Sequence, residues 1–573
     1  QGFITTTQLD RFFFDSLNKQ PFNYRLFVFA IRFLHFTLFK TQTIKPHEMI
    51  SSLTLVVSTP LSLLETTNNQ QEAYVNELKH VLDEMEVPLN VLSPESKLQA
   101  MATFDPIEEI GEVDSIIASF NQWKKIVEDE NASDEAVFKA TKETFELGRD
   151  FFIVVLYNGT KEDIGRFLRC ARECGALKSN WVFVASSFEY CIGGNSMVLK
   201  YDMKRYFDAL IELINVVYDD IELLKMTANL LHCLRPLIMP SFTLSWIQLI
   251  TERHLVYGLI ANNDRQGWSA MTILLLDYAL SVTYTVDTNP TEVFDFIYKS
   301  LLRFILVLVH DFSDFIVAIV PEITSIISPT FTQVRNILLN AYPSDVTLVP
   351  ISTAIKELSK TPSTNNMREL DKIPGIENFV PIPIPQKHLV NELQFENAIK
   401  GESAFTELAA QLDKQQINGA IASFVIFVTN VLLPQSDASQ ILSPQFSSNN
   451  VYFIITELIK KLNAEATQAL VNVLIDQLRF PSKATLFFYK TVLTLLQPEV
   501  KHQAPIQLDE LIVTSVMQRA VTPPPHPWGL RLLIREMMTN KEIKLFDRQF
   551  VQKSDEIKNF LNATLEIFCR DDE

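Results

Sequence analysis

His310, Asp311 and Asp314 place an imidazole and two carboxylates close together in the chain, the residue types from which a general acid–base pair is built. The same spacing has a plainer explanation. His310-Asp311 can close one helix and Asp314 can open the next, where a carboxylate meets free backbone N–H groups. The other histidines are His35, His47, His80, His232, His254, His388, His502 and His526. No two of the nine stand at i, i+4 on one helix, so no metal-binding pair is indicated. Cys170 and Cys174 share a helix face without forming CxxC, and they are expected as core thiols. With Cys191, Cys233 and Cys569 the count is odd and scattered, which points to a reducing compartment. Gly193-Gly194-Asn195-Ser196 is a turn signal. GxSxG, GxxxxGK[ST], HExxH and GxGxxG are all missing, so no catalytic, cofactor-binding or metal-binding residue is expected.

The elements that would position such groups are helices. Leu470, Val471, Leu474, Ile475 and Leu478 repeat as one buried helix face. Leu530, Leu533, Ile534, Met537 and Met538 do the same, as do Leu9, Phe12, Phe13 and Leu17, and Leu26, Ala30, Phe33, Leu34 and Leu38. Short breaks separate such stretches, at Lys45–His47, Met239–Ser241, Phe480–Lys483 and Val521–Pro527 among others. Phe152–Leu156 and Trp181–Ala185 are Val- and Phe-rich runs that could be strands, but both sit in stretches of helical spacing and are read as helix. Only 14 of 573 residues are glycine, against a usual share of ~7%, which disfavours folds built on glycine turns or phosphate loops. Helices joined by short turns, without a strict repeat, describe an all-α fold of HEAT-like stacked helical hairpins, an α-solenoid.

The formal charge of −18 repels nucleic-acid phosphates in bulk, so direct nucleic-acid binding is not expected. The apolar runs are interrupted by Arg25, Arg32 and His35, and by Arg303, His310, Asp311 and Asp314, so none reaches the roughly 20 apolar residues that span a bilayer. A chain opening at Gln1 without a signal-like segment is expected to be a soluble piece cut from a longer protein. Prolines set the expected divisions: helical hairpins at 1–86, an acidic linker at 87–115, a central block at 116–342, a connector at 343–388 and a C-terminal block at 389–573. Phe379–Pro385 alternates apolar residues with proline, which suggests an extended strap lying on a surface and joining the two main blocks.

At the C-terminus, Pro525–Leu530 (PHPWGL) is followed by an amphipathic helix, by Lys544–Phe550 (KLFDRQF) and by Glu556–Phe560 (EIKNF). Upstream stand Asp476–Ser482 (DQLRFPS), Arg335–Pro343 (RNILLNAYP), Leu308–Phe315 (LVHDFSDF), Gln266-Gly267-Trp268 and Leu234–Ile250 (LRPLIMPSFTLSWIQLI). In order and spacing these blocks resemble the C-terminal superfamily homology region of the Not-one large scaffold subunit of the CCR–NOT deadenylase complex. The likeness runs over residues 230–565. It is weaker over 1–60, rests on helix pattern alone over 115–220, and the chain looks shorter than the family between Asp220 and the LRP block.

The resemblance implies an all-helical, non-catalytic platform without cofactors. Its implied partners are the NOT-box subunits Not-two and Not-three/five, with short linear motifs of RNA-binding adaptors as further candidates. The implied work is mRNA deadenylation, mRNA decay and translational repression, in the cytoplasm and also the nucleus. The alternative is another HEAT-type adaptor for transport or tethering. Candidate partner-binding residues are His310, Phe312, Arg335, Arg479, Phe480, Pro481, His526, Pro527 and Trp528. Trp528 reads first as a large core residue, with a surface anchor for a partner as the alternative. Arg479 reads as a complement to a helix C-terminus or as a contact to a carboxylate on a binding partner. Pro527 suits the first position of a helix, with His526 near its N-cap. Phe242 and Trp246, at i, i+4, are expected in the core.

Overall fold

The computed structural model describes residues 10, 13, 14, 17, 24–40, 49–58, 73–79, 113–129, 132–194, 203–261, 265–286, 292–358, 395, 402–412, 417–433, 446–497 and 507–570. Among these there are helices and turns but no strand. They fall into two compact units, 1–281 and 282–573.

The first unit holds α1 (Tyr24–His35), α2 (Ile50–Ser58), α3 (Val113–Glu128), α4 (Asp134–Phe145), α5 (Arg149–Asn158), α6 (Lys161–Glu173), α7 (Trp181–Gly194), α8 (Met203–Val217), α9 (Ile221–Cys233), α10 (Thr243–Ile250), α11 (Arg253–Ile260) and most of α12 (Trp268–Val286). From α3 onward, helices pack on the next but one: α3 on α5, α4 on α6, α5 on α7, α6 on α8, α8 on α10 and α9 on α11. That is the contact pattern of stacked helical pairs, where each layer buries the apolar face of the last. Phe167 on α6 is fully buried and shows how phenylalanine fills these layers. Around it stand Trp123 at 5.1 Å, Phe145 at 5.5 Å, Phe151 at 5.7 Å and Phe152 at 5.9 Å between ring centres. Phe152 and Trp181 therefore belong to α5 and α7, as the helical spacing around them requires. Helix starts follow the local sequence. Thr160 and Asp163 form a reciprocal cap on α6, and the Asp220 carboxylate accepts from the N–H groups of Glu222 and Leu223 on α9.

The second unit comprises α13 (Glu292–Asp311), α14 (Ser313–Ile326), α15 (Thr332–Leu339), α16 (Ile351–Leu358), α17 (Glu402–Leu412), α18 (Ile417–Phe427), α19 (Asn450–Lys461), α20 (Ala464–Asp476), α21 (Lys483–Leu495), α22 (Leu508–Ala520), α23 (Trp528–Thr539) and α24 (Asp555–Arg570). The stripes on α20 and α23 are buried as their periodicity indicates. α20 packs on α18 and α22, and α23 on α16, α21 and α24.

The unit boundary falls inside the 116–342 block and inside α12. The connector opens as irregular chain whose Pro343, Val346 and Val349 are buried. It does not stay extended: Pro350 lends its carbonyl to the Ala354 N–H and α16 begins. Proline has no donor to lose at a helix start, so it opens a helix as readily as it stops one. Phe379–Pro385 lies outside the described residues, as does the 87–115 linker up to residue 112, with α3 starting at Val113.

Candidate functional site

The chemistry-bearing residues of the second unit gather around one carboxylate. Asp476 ends α20, whose face is otherwise Leu470, Leu474 and Ile475, and it is 3% exposed. Arg335 on α15 donates through Nη1 to Asp476 Oδ2 at 2.5 Å. Arg519 on α22 donates to Asp476 Oδ1. The other Arg335 amino group donates to the carbonyls of Thr324, at 2.6 Å, and Ile327, at the end of α14. Asn336 ties the same helices again. Its amide donates to the Arg519 carbonyl at 2.9 Å and to Thr522 Oγ1 at 2.7 Å, and its oxygen accepts from Arg519 Nη1 at 3.3 Å. One buried charge thus holds α14, α15, α20 and α22. Burial pulls the Arg335 guanidinium below its ordinary proton affinity, and Asp476 opposes that.

Arg479 stands three residues beyond the end of α20. Its side chain does not cap that helix. It is buried, lies 5.4 Å from the Phe480 ring centre and donates at 3.4 Å to the Val317 carbonyl on α14. Burial pushes its pKa down to about 10, and its Nε has no hydrogen-bond partner among the described residues. Its backbone carbonyl accepts the Gly529 N–H at 2.7 Å. That contact needs glycine: a Cβ at 529 would lie 2.8 Å from the Leu478 carbonyl carbon and 2.5 Å from Thr485 Cγ2. Pro481 and Phe480 are buried, and Ser482 caps α21 by accepting from the Thr485 N–H.

Trp528 opens α23 and is 6% exposed. Its indole Nε1 donates to the Val349 carbonyl at 2.7 Å, in the first stretch of the proline-rich connector. Its place is the core. Pro527 is buried and sits one residue earlier than the sequence suggested, at the N-cap rather than the first helical position. With φ −55° and ψ 144° it takes the extended backbone of a cap, which its ring permits and which leaves Trp528 to start the helix. His526 is half-buried, its ring edge-on to Phe568 of α24 at 5.1 Å. Burial lowers its pKa below the usual 6.5, while the backbone at Thr522, Ala520 and Arg519 pulls the other way.

His310 and Asp311 do close α13, and Asp314 lies in the first turn of α14. His310 Nδ1 meets Asp311 Oδ1 at 2.6 Å on the surface, with the His310 side chain 88% exposed. Asp314 is engaged elsewhere, accepting from the Ser344 N–H at 2.9 Å and the Ser344 hydroxyl at 3.0 Å. Phe312, half-buried, is the residue between the two helices. Of the nine candidate partner-binding residues, only His310 presents an exposed side chain. Arg335, Arg479, Phe480, Pro481, Pro527 and Trp528 are buried in the second unit and hold it together.

The same logic recurs away from this knot. In the first unit, the buried Asp277 accepts His232 Nδ1 at 2.6 Å and lies 3.8 Å from Arg235 Nε, and Trp246 Nε1 donates to the Leu231 carbonyl at 2.7 Å. Phe242 and Trp246 are fully buried. In the second, Arg548 donates to Asp509 at 2.8 Å and to the Ile543 carbonyl at 3.0 Å. No group of three or more His, Cys, Asp or Glu able to hold a metal occurs among the described residues, and no described helix is long and apolar enough to cross a membrane. Asp476, Asn336, Arg519, Asp277 and Asp509 were not singled out by sequence reasoning. The available signal was a charged or amide residue inside an apolar helix face.

A family model described as CCR4-Not complex component, Not1, matches residues 214–565. Among curated proteins the chain is similar to General negative regulator of transcription subunit 1 of Saccharomyces cerevisiae, 22% identical over 363 residues, covering 61% of this chain and 17% of that protein. The protein of the same name in Schizosaccharomyces pombe is 24% identical over 445 residues, covering 74% and 21%. The chain thus spans about a fifth of the length of these relatives. Among solved structures, the NOT1 superfamily homology domain from Chaetomium thermophilum aligns with a TM-score of 0.63 at 17% identity, over 81% of this chain and 99% of that one. A Not1 C-terminal domain in complex with Not4 aligns with 0.60 at 16% identity, over 79% and 100%. The all-α fold of stacked helices is common to them.

Three outcomes follow from the geometry. Asp476→Asn leaves two buried guanidinium groups without their counter-charge and should cost about 3–5 kcal/mol of stability, read by urea denaturation. An unchanged midpoint would show that the knot is not a buried charge pair. Trp528→Ala should lower the melting temperature sharply, as a buried Trp→Ala change costs about 3–5 kcal/mol. A melting temperature equal to the parent's would place Trp528 on a free surface. For His526, the folded pKa lies below the unfolded one, so the unfolded state binds the proton more readily. Its contribution is complete above about pH 6.5 and shrinks as pH falls below that value. The loss of stability between pH 7 and pH 5.5 should therefore be smaller in His526→Gln than in the parent.

Proposed function

The chain belongs to the CCR4-Not complex component Not1 family, and from that membership we propose that it is a non-catalytic scaffold segment of the CCR4-Not complex. It docks the NOT-box subunits Not-two and Not-three/five and so anchors them in a machine for mRNA deadenylation, mRNA decay and translational repression. It works in the cytoplasm and also in the nucleus. Not4, the partner bound to a solved Not1 C-terminal domain of similar fold, is a further candidate.

One observation supports this reading above others. Ionisable residues inside the second unit engage one another, as Arg335, Asp476 and Arg519 do. They brace helices and leave large apolar side chains such as Phe296 and Phe453 on the outside. A surface of that kind works by area: stable protein interfaces bury roughly 1,200–2,000 Å², with affinity concentrated in a few anchors.

Co-expression of this chain with the C-terminal halves of the two NOT-box subunits is the direct test. A ternary complex that survives about 0.5 M salt is expected, since its core would be apolar. Recovery of the chain without either subunit, at low salt and with both present, would remove the proposal.

A further inference from the structure

α13 has two faces with different surroundings. Ile297, Leu301, Phe304, Ile305 and Leu308 are buried, and the helix packs on α14 and α15. On a face flanking that stripe Val293, Phe296 and Val307 are 57%, 55% and 51% exposed. Arg303 and His310 are exposed there too, and Ser300 is half-buried. These six residues stand at 293, 296, 300, 303, 307 and 310, alternating steps of three and four. That is the a/d spacing of a coiled-coil seam, and here it points outward. From Val293 to His310 the seam is about 26 Å long at 1.5 Å per residue. Scattered exposed apolar residues need no explanation, but Val293, Phe296 and Val307 share one stripe with an arginine between them.

The seam has apolar residues on both sides of a polar middle, Ser300 and Arg303, and closes on His310. Arg303 makes no ion pair with a described residue. Two of the helix's three carboxylates are engaged within it: Asp295 holds Lys299 at 2.5 Å and Asp311 holds His310 at 2.6 Å. A polar residue at a seam position selects register and partner by what it requires opposite. Arg303 requires an anion. The same seam of a second copy does not provide it. Parallel pairing of two seams sets Arg303 against Arg303, and antiparallel pairing sets it against Ser300 with the other Arg303 nearby.

We infer that the outer face of α13 is a docking seam for an acidic amphipathic helix of a partner subunit. That helix places apolar side chains on Phe296 and Val307 and a carboxylate on Arg303. The inference rests on the scaffold reading above and adds to it the position and chemistry of one contact. It also accounts for His310, the exposed candidate of the sequence analysis, as the last residue of the seam.

The test uses the reconstituted complex with the NOT-box subunits. The double variant Phe296→Asp/Val307→Asp, and separately Arg303→Glu, should each weaken the complex by about tenfold or more while leaving the melting temperature unchanged, because all three side chains are exposed. A photo-crosslinking amino acid in place of Val307 should attach to an acidic amphipathic stretch of a subunit. If the parent complex forms but the variants bind within about twofold of it, or the crosslink joins two copies of this chain, the seam is wrong and the scaffold reading stands. If the parent chain forms no complex, both fall.

Discussion

The second unit depends on a single carboxylate shared between two guanidinium groups. A charge taken out of water costs several kcal/mol, and only close, well-hydrogen-bonded partners offset it. Asp476 has both oxygens engaged, one by Arg335 and one by Arg519. Neither arginine is free to relax, because each also bonds the backbone or the amide of a neighbouring helix. The relative placement of α14, α15, α20 and α22 follows from satisfying those groups. Apolar burial makes the helices cohere, while the knot fixes which register they cohere in, since a slip of one turn would leave buried charges alone.

This explains why the motif-like blocks are readable as a pattern while most of their side chains turn inward. DQLRFPS, RNILLNAYP and PHPWGL combine charged, proline and aromatic residues, the composition that also marks a binding surface. In the structure those residues meet each other. Arg479 offers its carbonyl to Gly529 and its guanidinium to α14. Trp528 binds back to Val349. The conspicuous residues are those a helical stack needs where backbone groups are left over and two helices come unusually close.

The helices themselves were legible because a 3.6-residue period is a local property. The stripes on α20 and α23 and the helical identity of the runs at Phe152 and Trp181 could be read from neighbours a few positions away. The partnership of Arg335 with Asp476 could not, since 141 positions separate them and nothing near either names the other. Periodicity alone assigns a charged residue to the solvent face. The opening of α16 after Pro350 was missed for a related reason: proline reports that a helix cannot continue through it, not whether one begins behind it. The outer face of α13 was hidden in turn because its inner face already explained the helix.

The bond from the Trp528 indole to the Val349 carbonyl joins positions 179 apart. A chain is made from its N-terminus, so α13 to α16 leave the ribosome long before their closing partner exists. During that interval the cleft that will receive the tryptophan stays open, and the apolar surface around it is at risk of illegitimate association. A nascent chain released before residue 528 would keep most of its helices and lack the clasp. Quality control in the cell would then meet a helical array with one wall missing, and termination just before residue 528 should be as damaging to this unit as termination in its middle.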